Sequence, residues 1–159
     1  MYEPIRTKSV HTMAGAAPSD FPHRSREEEL DIQLAGHLAA LLAVTDEIRA
    51  LAPSAGLDAA AERLAGQVSR LRDGVTPVRS SPSPAAHEPR LAALHHRAHA
   101  LAGRALVVAA SRADTAAAIL AAERMDAHAS AAAATAASAA EPAASTAEPA
   151  AEPRELASR

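Results

Sequence analysis

Apolar residues at alternating spacings of three and four run through three segments of this chain, and this spacing constrains the fold more than any other feature. The third segment is the longest, from about Pro89 to Ala127, with no further proline and a single glycine. Such spacing is typical of the a and d positions of a heptad, so each segment should form a helix that packs against other helices. The apolar seats of the third segment are Leu91, Leu94, Ala98, Leu101, Ala105 and Val108.

Capping and helix-breaking residues set the helix boundaries. Ser25 with Glu28 matches a capping box, in which a hydroxyl and a carboxylate satisfy backbone donors reciprocally. Pro53 ends this first helix and Gly74 ends the second, and the short connection between them makes the two helices antiparallel. We therefore predict an all-α fold, an antiparallel helical hairpin packed on a long third helix in a three-helix, coiled-coil-like bundle. The predicted helices span about residues 25–52, 58–73 and 89–128, with a Pro/Ser-rich loop at 75–88.

Both ends of the chain differ in composition from the bundle, which we place at residues 25–128. Residues 1–24 show no sustained periodicity and are predicted to be a flexible N-terminal arm. Residues 129–159 form an Ala/Glu/Pro-rich low-complexity tail. Its first part has high helix propensity but no large apolar anchor, so we expect a fraying helical extension that leads into a disordered arm.

Composition narrows the class of protein. The chain has no cysteine or tryptophan and one residue each of tyrosine and phenylalanine, so its core must consist of Leu, Val, Ile and Ala. A core without aromatic side chains is thin, which favours self-association. The excess of arginine over a single lysine, Lys8, is typical of high-GC bacterial genomes.

Composition also bears on the cellular location and the partners of the protein. No apolar stretch is long enough to span a bilayer, the N-terminus lacks the pattern of a signal peptide, and no disulfide can form. We therefore predict a cytoplasmic protein without a membrane partner. The net charge of −3 gives no general attraction to nucleic acid.

Apolar residues beyond the main seam of the third helix predict an interaction face. They lie on several sides of the helix, and a helix that is apolar on more than one side requires more than one neighbour. We expect this surface to bind a second copy of the chain or another helical protein. The predicted interaction face consists of Leu106, Val107, Ile119 and Leu120.

Polar residues beside the apolar seams are candidates for partner specificity. His37 occupies a d seat in the first helix, where a polar side chain can fix register and partner choice. Arg90, Arg97 and Arg104 recur one heptad apart. This arginine stripe favours ion pairs with acids of the first two helices, and the alternatives are an acidic protein partner or a phosphate surface of nucleic acid.

A histidine cluster offers a metal or ligand site as the alternative function. His95 and His99 lie at i and i+4, the spacing of two zinc ligands on one helix face. The sequence lacks the H-E-x-x-H pattern, so a third ligand would have to come from His37, His87 or Asp31. Ordinary solvated histidines are the favoured explanation of the cluster, and we predict no cofactor.

Catalytic motifs are absent from the sequence. It has no Gly-rich phosphate loop, no G-x-S-x-G and no cysteine nucleophile. An enzyme also needs a pocket with convergent polar groups, which a slim bundle of Leu and Ala does not suggest. We therefore predict a non-enzymatic protein–protein interaction or regulatory module.

Overall fold

The computed structural model describes residues 24–80 and 88–144, and these form four helices. The predicted all-α class is confirmed. The number of helices corrects the prediction, because the segment expected to form one helix over residues 89–128 is two helices joined by a turn. Most of the two predicted arms lies outside the described residues, although residues 129–144 are helical. The helices are α1 (Arg26–Leu51), α2 (Ala55–Leu71), α3 (Glu88–Ser111) and α4 (Thr115–Ala144).

Serine side chains begin the first two helices. The N–H of Glu28 donates to Ser25 Oγ at 3.1 Å, and the N–H of Ser25 donates to the Glu28 carboxylate at 2.7 Å. The predicted capping box is therefore confirmed. Ser54 caps α2 in a similar way by accepting from the N–H of Leu57, so α2 begins three residues earlier than the sequence pattern suggested.

A Schellman turn separates α3 from α4. The N–H of Asp114 donates to the carbonyl of Ala109 at 2.9 Å, and the N–H of Ala113 donates to the carbonyl of Ala110 at 3.1 Å. Ala113 has a positive φ of 57°, the left-handed conformation of this motif. Asp114 then caps α4 by accepting from the N–H of Ala117. The chain therefore folds back on itself where the sequence predicted a continuous helix.

The four helices pair as two hairpins, α1–α2 and α3–α4. Arg112 at the end of α3 bonds to Asp31 near the start of α1, and Arg90 at the start of α3 pairs with Glu47 near the end of α1. These contacts show that α1 and α3 are antiparallel. α2 packs on α4 only thinly, and this narrow contact closes the bundle.

A buried carboxylate holds the chain between α2 and α3 against the first hairpin. Arg79 donates two hydrogen bonds to Asp46, at 2.7 and 2.9 Å, and a third to Glu62. Burial alone would raise the pKa of Asp46, but hydrogen bonds from Arg79 and Arg49 outweigh that effect and lower it. The carboxylate is therefore ionised, and its ion pairs fix the path of residues 75–80.

The core changes in character between the two hairpins. In the first hairpin it consists mainly of large aliphatic side chains, namely Leu34, Leu38, Leu41, Leu42, Val44, Ile48, Leu64 and Val68. In the second hairpin it consists mainly of alanine, at positions 98, 102, 105, 109, 117 and 121. Alanine seats let two helix backbones approach closely, and α3 and α4 form the most extensive helix–helix contact of the described chain.

Candidate functional site

The predicted interaction face is not a single surface. Leu120 is 2% exposed and belongs to the core, and Leu106 is half-buried against that core. Val107 and Ile119 remain 66% and 53% exposed. Leu120 is buried because α4 turns back after Asp114 and directs this side chain inward. Folding back therefore covers much of the apolar surface that suggested a partner.

The predicted specificity residues occupy different environments. Arg90 forms an ion pair with Glu47 at 3.5 Å, as expected for a charge beside the seam. Arg97 and Arg104 are exposed, and neither makes an ion pair with any residue that the structure describes. His37 is half-buried in α1. The arginine stripe thus bonds to the first hairpin at one of its three positions.

The predicted metal ligands both contact α4. His95 Nδ1 lies 3.1 Å from His128 Nδ1, and His99 Nδ1 lies 3.0 Å from the carbonyl oxygen of Met125. No group of three or more His, Cys, Asp or Glu side chains suited to a metal ion occurs within residues 24–80 and 88–144. Among the suggested third ligands, Asp31 is engaged by Arg112, and His87 lies outside the described residues.

His95 and His128 form a buried imidazole pair. His128 is 1% exposed, and burial, followed by the charges of its neighbours, lowers its pKa to about 4. Burial also lowers the pKa of His95, with a smaller effect from His96. Both rings are therefore neutral near pH 7. Their short contact requires one ring to donate its Nδ1–H and the other to accept.

An open cavity of about 490 Å³ lies beside this pair, at the end of the bundle where the α1–α2 connection meets α4. Ser54, His95, Arg124 and His128 supply its polar lining. None of the described residues that line it is acidic. Its apolar lining comes from Ile48, Ala52, Pro53, Leu57, Ala127 and Ala131.

Two polar atoms of residues that line this cavity lack partners among the described residues. The Nε of Arg124 and the Nε2 of His128 are shielded from water and make no hydrogen bond within residues 24–80 and 88–144. Buried polar groups are almost always satisfied in native proteins, so unsatisfied ones require an explanation. The two atoms belong to residues four positions apart on α4, which therefore lie on one face of that helix.

The sequence reasoning missed His128, Arg124 and the cavity. Because the sequence predicts one continuous helix here, His95 and His128 are expected to lie far apart along it, and their contact could not be anticipated. One signal was available, since Arg112 and Thr115 occupy the next two seats of the heptad and interrupt its apolar series. A hairpin turn at that point places His95 and His128 at similar distances from the turn and hence opposite each other.

Comparisons with protein-family models, with curated proteins and with solved structures find no match for this chain. Among the described helices, none is long and apolar enough to cross a membrane. The cavity and its side chains are therefore the basis for a functional assignment.

Proposed function

We propose that this protein is a non-enzymatic binding protein that holds a small amphipathic molecule in the cavity between the α1–α2 connection and α4. The observation that carries the proposal is a largely apolar cavity lined by Arg124 and His128, each of which holds a buried nitrogen without a hydrogen-bond partner among the described residues. Its volume of about 490 Å³ lies within the usual range of small-molecule sites. Such sites combine apolar walls with a few polar groups that orient the ligand.

Gly56 offers a way to close this cavity without disturbing the core. An added Cβ at Gly56 meets no atom within 4 Å. Gly56 lies seven residues, or two turns, before Arg63, and Arg63 reaches Glu123 of α4 at 2.6 Å. Position 56 therefore lies on the same face of α2 as Arg63, and Gly56 itself lines the cavity, so a large side chain there is placed beside the cavity.

The test is titration with 1-N-phenylnaphthylamine, a neutral dye whose fluorescence rises in apolar sites. We expect saturable enhancement with the unsubstituted protein and none with Gly56→Trp, because the indole fills the space. Gly36→Trp is the matched control, since Gly36 is an exposed helical glycine of α1 with open space around its Cβ. Equal saturable binding by all three proteins, or none by the unsubstituted protein, would refute the proposal.

Self-association is the second candidate, and the exposure of Ile119 favours it. Ile119 borders a groove of about 350 Å³ between α2 and α4, where the two helices pack thinly. A second copy of the chain could cover this groove, while Val107 lies on the outer side of α3. Light scattering of the Ile119→Asp variant tests this candidate. A fall in mass from oligomer to monomer supports it, and a monomeric unsubstituted protein at high concentration rejects it.

A further inference from the structure

Arg124 differs from the other arginines of comparable burial. Among the described residues, Arg49, Arg90 and Arg112 are also half-buried, and each forms an ion pair with an acid. Arg124 makes neither an ion pair nor a hydrogen bond with the described residues, and its Nε is shielded from water. A shielded N–H group is costly unless it is hydrogen-bonded. Arg124 lines the cavity with no acid among the described lining residues, so its guanidinium is available to an anion there.

Two further features make this cavity suited to negative charge. Its described lining contains no acidic residue that would compete for Arg124. The start of α2 also contributes to the lining through Ser54 and Gly56, and a helix N-terminus carries partial positive charge on its free N–H groups. These features act together with His128, which is 1% exposed and whose Nε2 makes no hydrogen bond with the described residues, and this unpartnered atom is the independent indication of a ligand.

In one of its two tautomeric arrangements, the imidazole pair supplies a neutral donor beside this charge. When His95 donates its Nδ1–H to His128, the proton of His128 resides on Nε2, an atom without a partner among the described residues. Arg124 and His128 then each hold an unpartnered N–H group, and the two residues lie on one face of α4. A guanidinium matches a carboxylate in geometry as well as in charge.

From these observations, and resting on the proposed function, we infer that the ligand is a monocarboxylate with an apolar body. The carboxylate lies against Arg124 and His128, and the apolar body lies along Ile48, Leu57 and Ala127. A chain or ring of modest size satisfies both parts of the cavity. A neutral molecule of the same shape would leave Arg124 without a partner.

Calorimetric titration with decanoate and with decan-1-ol, which share an apolar chain and differ in charge, tests this inference. We expect the unsubstituted protein to bind decanoate roughly 10- to 100-fold more tightly than decan-1-ol, the effect of a charge-assisted hydrogen bond. Arg124→Leu should lose this preference while it still binds decan-1-ol and 1-N-phenylnaphthylamine. Arg104→Leu is the matched control, because Arg104 is an exposed arginine that pairs with no acid of the described residues, and this variant should behave as the unsubstituted protein does.

The outcomes separate this inference from the proposed function. If the unsubstituted protein binds the neutral dye but does not prefer decanoate, or if Arg124→Leu keeps the preference, the carboxylate inference is wrong and the cavity proposal stands. If neither the dye nor decanoate binds, both are wrong. Retained dye binding by Arg124→Leu also shows that the variant is folded at the cavity.

Discussion

The buried imidazoles of His95 and His128 act as a single neutral unit. Their Nδ1 atoms lie 3.1 Å apart, so one ring donates and the other accepts. If the acceptor ring were protonated, both Nδ1 atoms would carry a proton unless the donor ring changed tautomer, and protonation of either ring would place a charge in a buried site. The lowered pKa of each ring follows from this burial. A charge on this pair is therefore unfavourable where α3 packs on α4.

We expect the free energy of unfolding to decrease as the pH falls from about 6.5 to about 4. In this window the unfolded chain binds protons at its histidines, whereas folded His128 has a pKa of about 4. The unfolded state thus binds more protons, and stability is lost as the solution becomes more acidic. A shift of this size corresponds to about 3 kcal/mol. Urea unfolding at about pH 7 and pH 4.5 measures it.

His128→Phe provides the control for this pH dependence, since phenylalanine fills similar space and cannot titrate. Its unfolding free energy should change much less over the same window. Asp46 and Asp114 do not account for the effect, because the pKa of each is lowered from 3.8 and their contributions are lost only in stronger acid. An unchanged pH dependence in His128→Phe would contradict the role of the pair.

At the scale of elements, local signals predicted the first hairpin well and the second one poorly. The sequence has strong N-cap signals at two places, at Ser25 with Glu28 and at Ser54 after Pro53. Helices α1 and α2 begin there. The α3–α4 turn has an N-cap in Asp114 but no glycine or proline, because its left-handed position is occupied by Ala113, where glycine is usual. Alanine also has the highest helix propensity, so the sequence around Ala113 predicts a continuous helix. Tertiary packing overrides this local preference, and the chain turns at Ala113.

Ala113→Gly should raise the free energy of unfolding by about 1 kcal/mol, because a left-handed conformation strains alanine but not glycine. Ala100→Gly is the matched control, as Ala100 is exposed in the middle of α3. It should lower the free energy of unfolding by about 1 kcal/mol, the cost of glycine inside a helix. Urea unfolding of both variants gives the two signs. A decrease in both would indicate that α3 continues through residue 113.

At the scale of the whole molecule, the cavity depends on how two hairpins meet, which no local pattern encodes. The sequence predicted ion pairs between helices, and Arg90 with Glu47 is one of them. It also singled out His95, although for a metal. It did not indicate Arg124, because a lone arginine in an alanine-rich segment resembles any solvated charge. Its position becomes informative only when α4 lies against the start of α2 and no acid of the described residues pairs with it.

A binding site that keeps unsatisfied groups in its wall should reduce the stability of the molecule that contains it. Arg124→Leu removes a shielded, unpartnered Nε and adds apolar surface to an apolar wall. We therefore expect this variant to raise the free energy of unfolding by about 1 kcal/mol while it loses the preference for a carboxylate. Arg112→Leu is the contrasting control, because it leaves Asp31 without its two hydrogen bonds and should be destabilising. Thermal unfolding followed by circular dichroism compares the two. If Arg124→Leu is as destabilised as Arg112→Leu, Arg124 stabilises the folded protein through a structural partner. The idea that the unsatisfied groups of the cavity reduce stability would then be wrong.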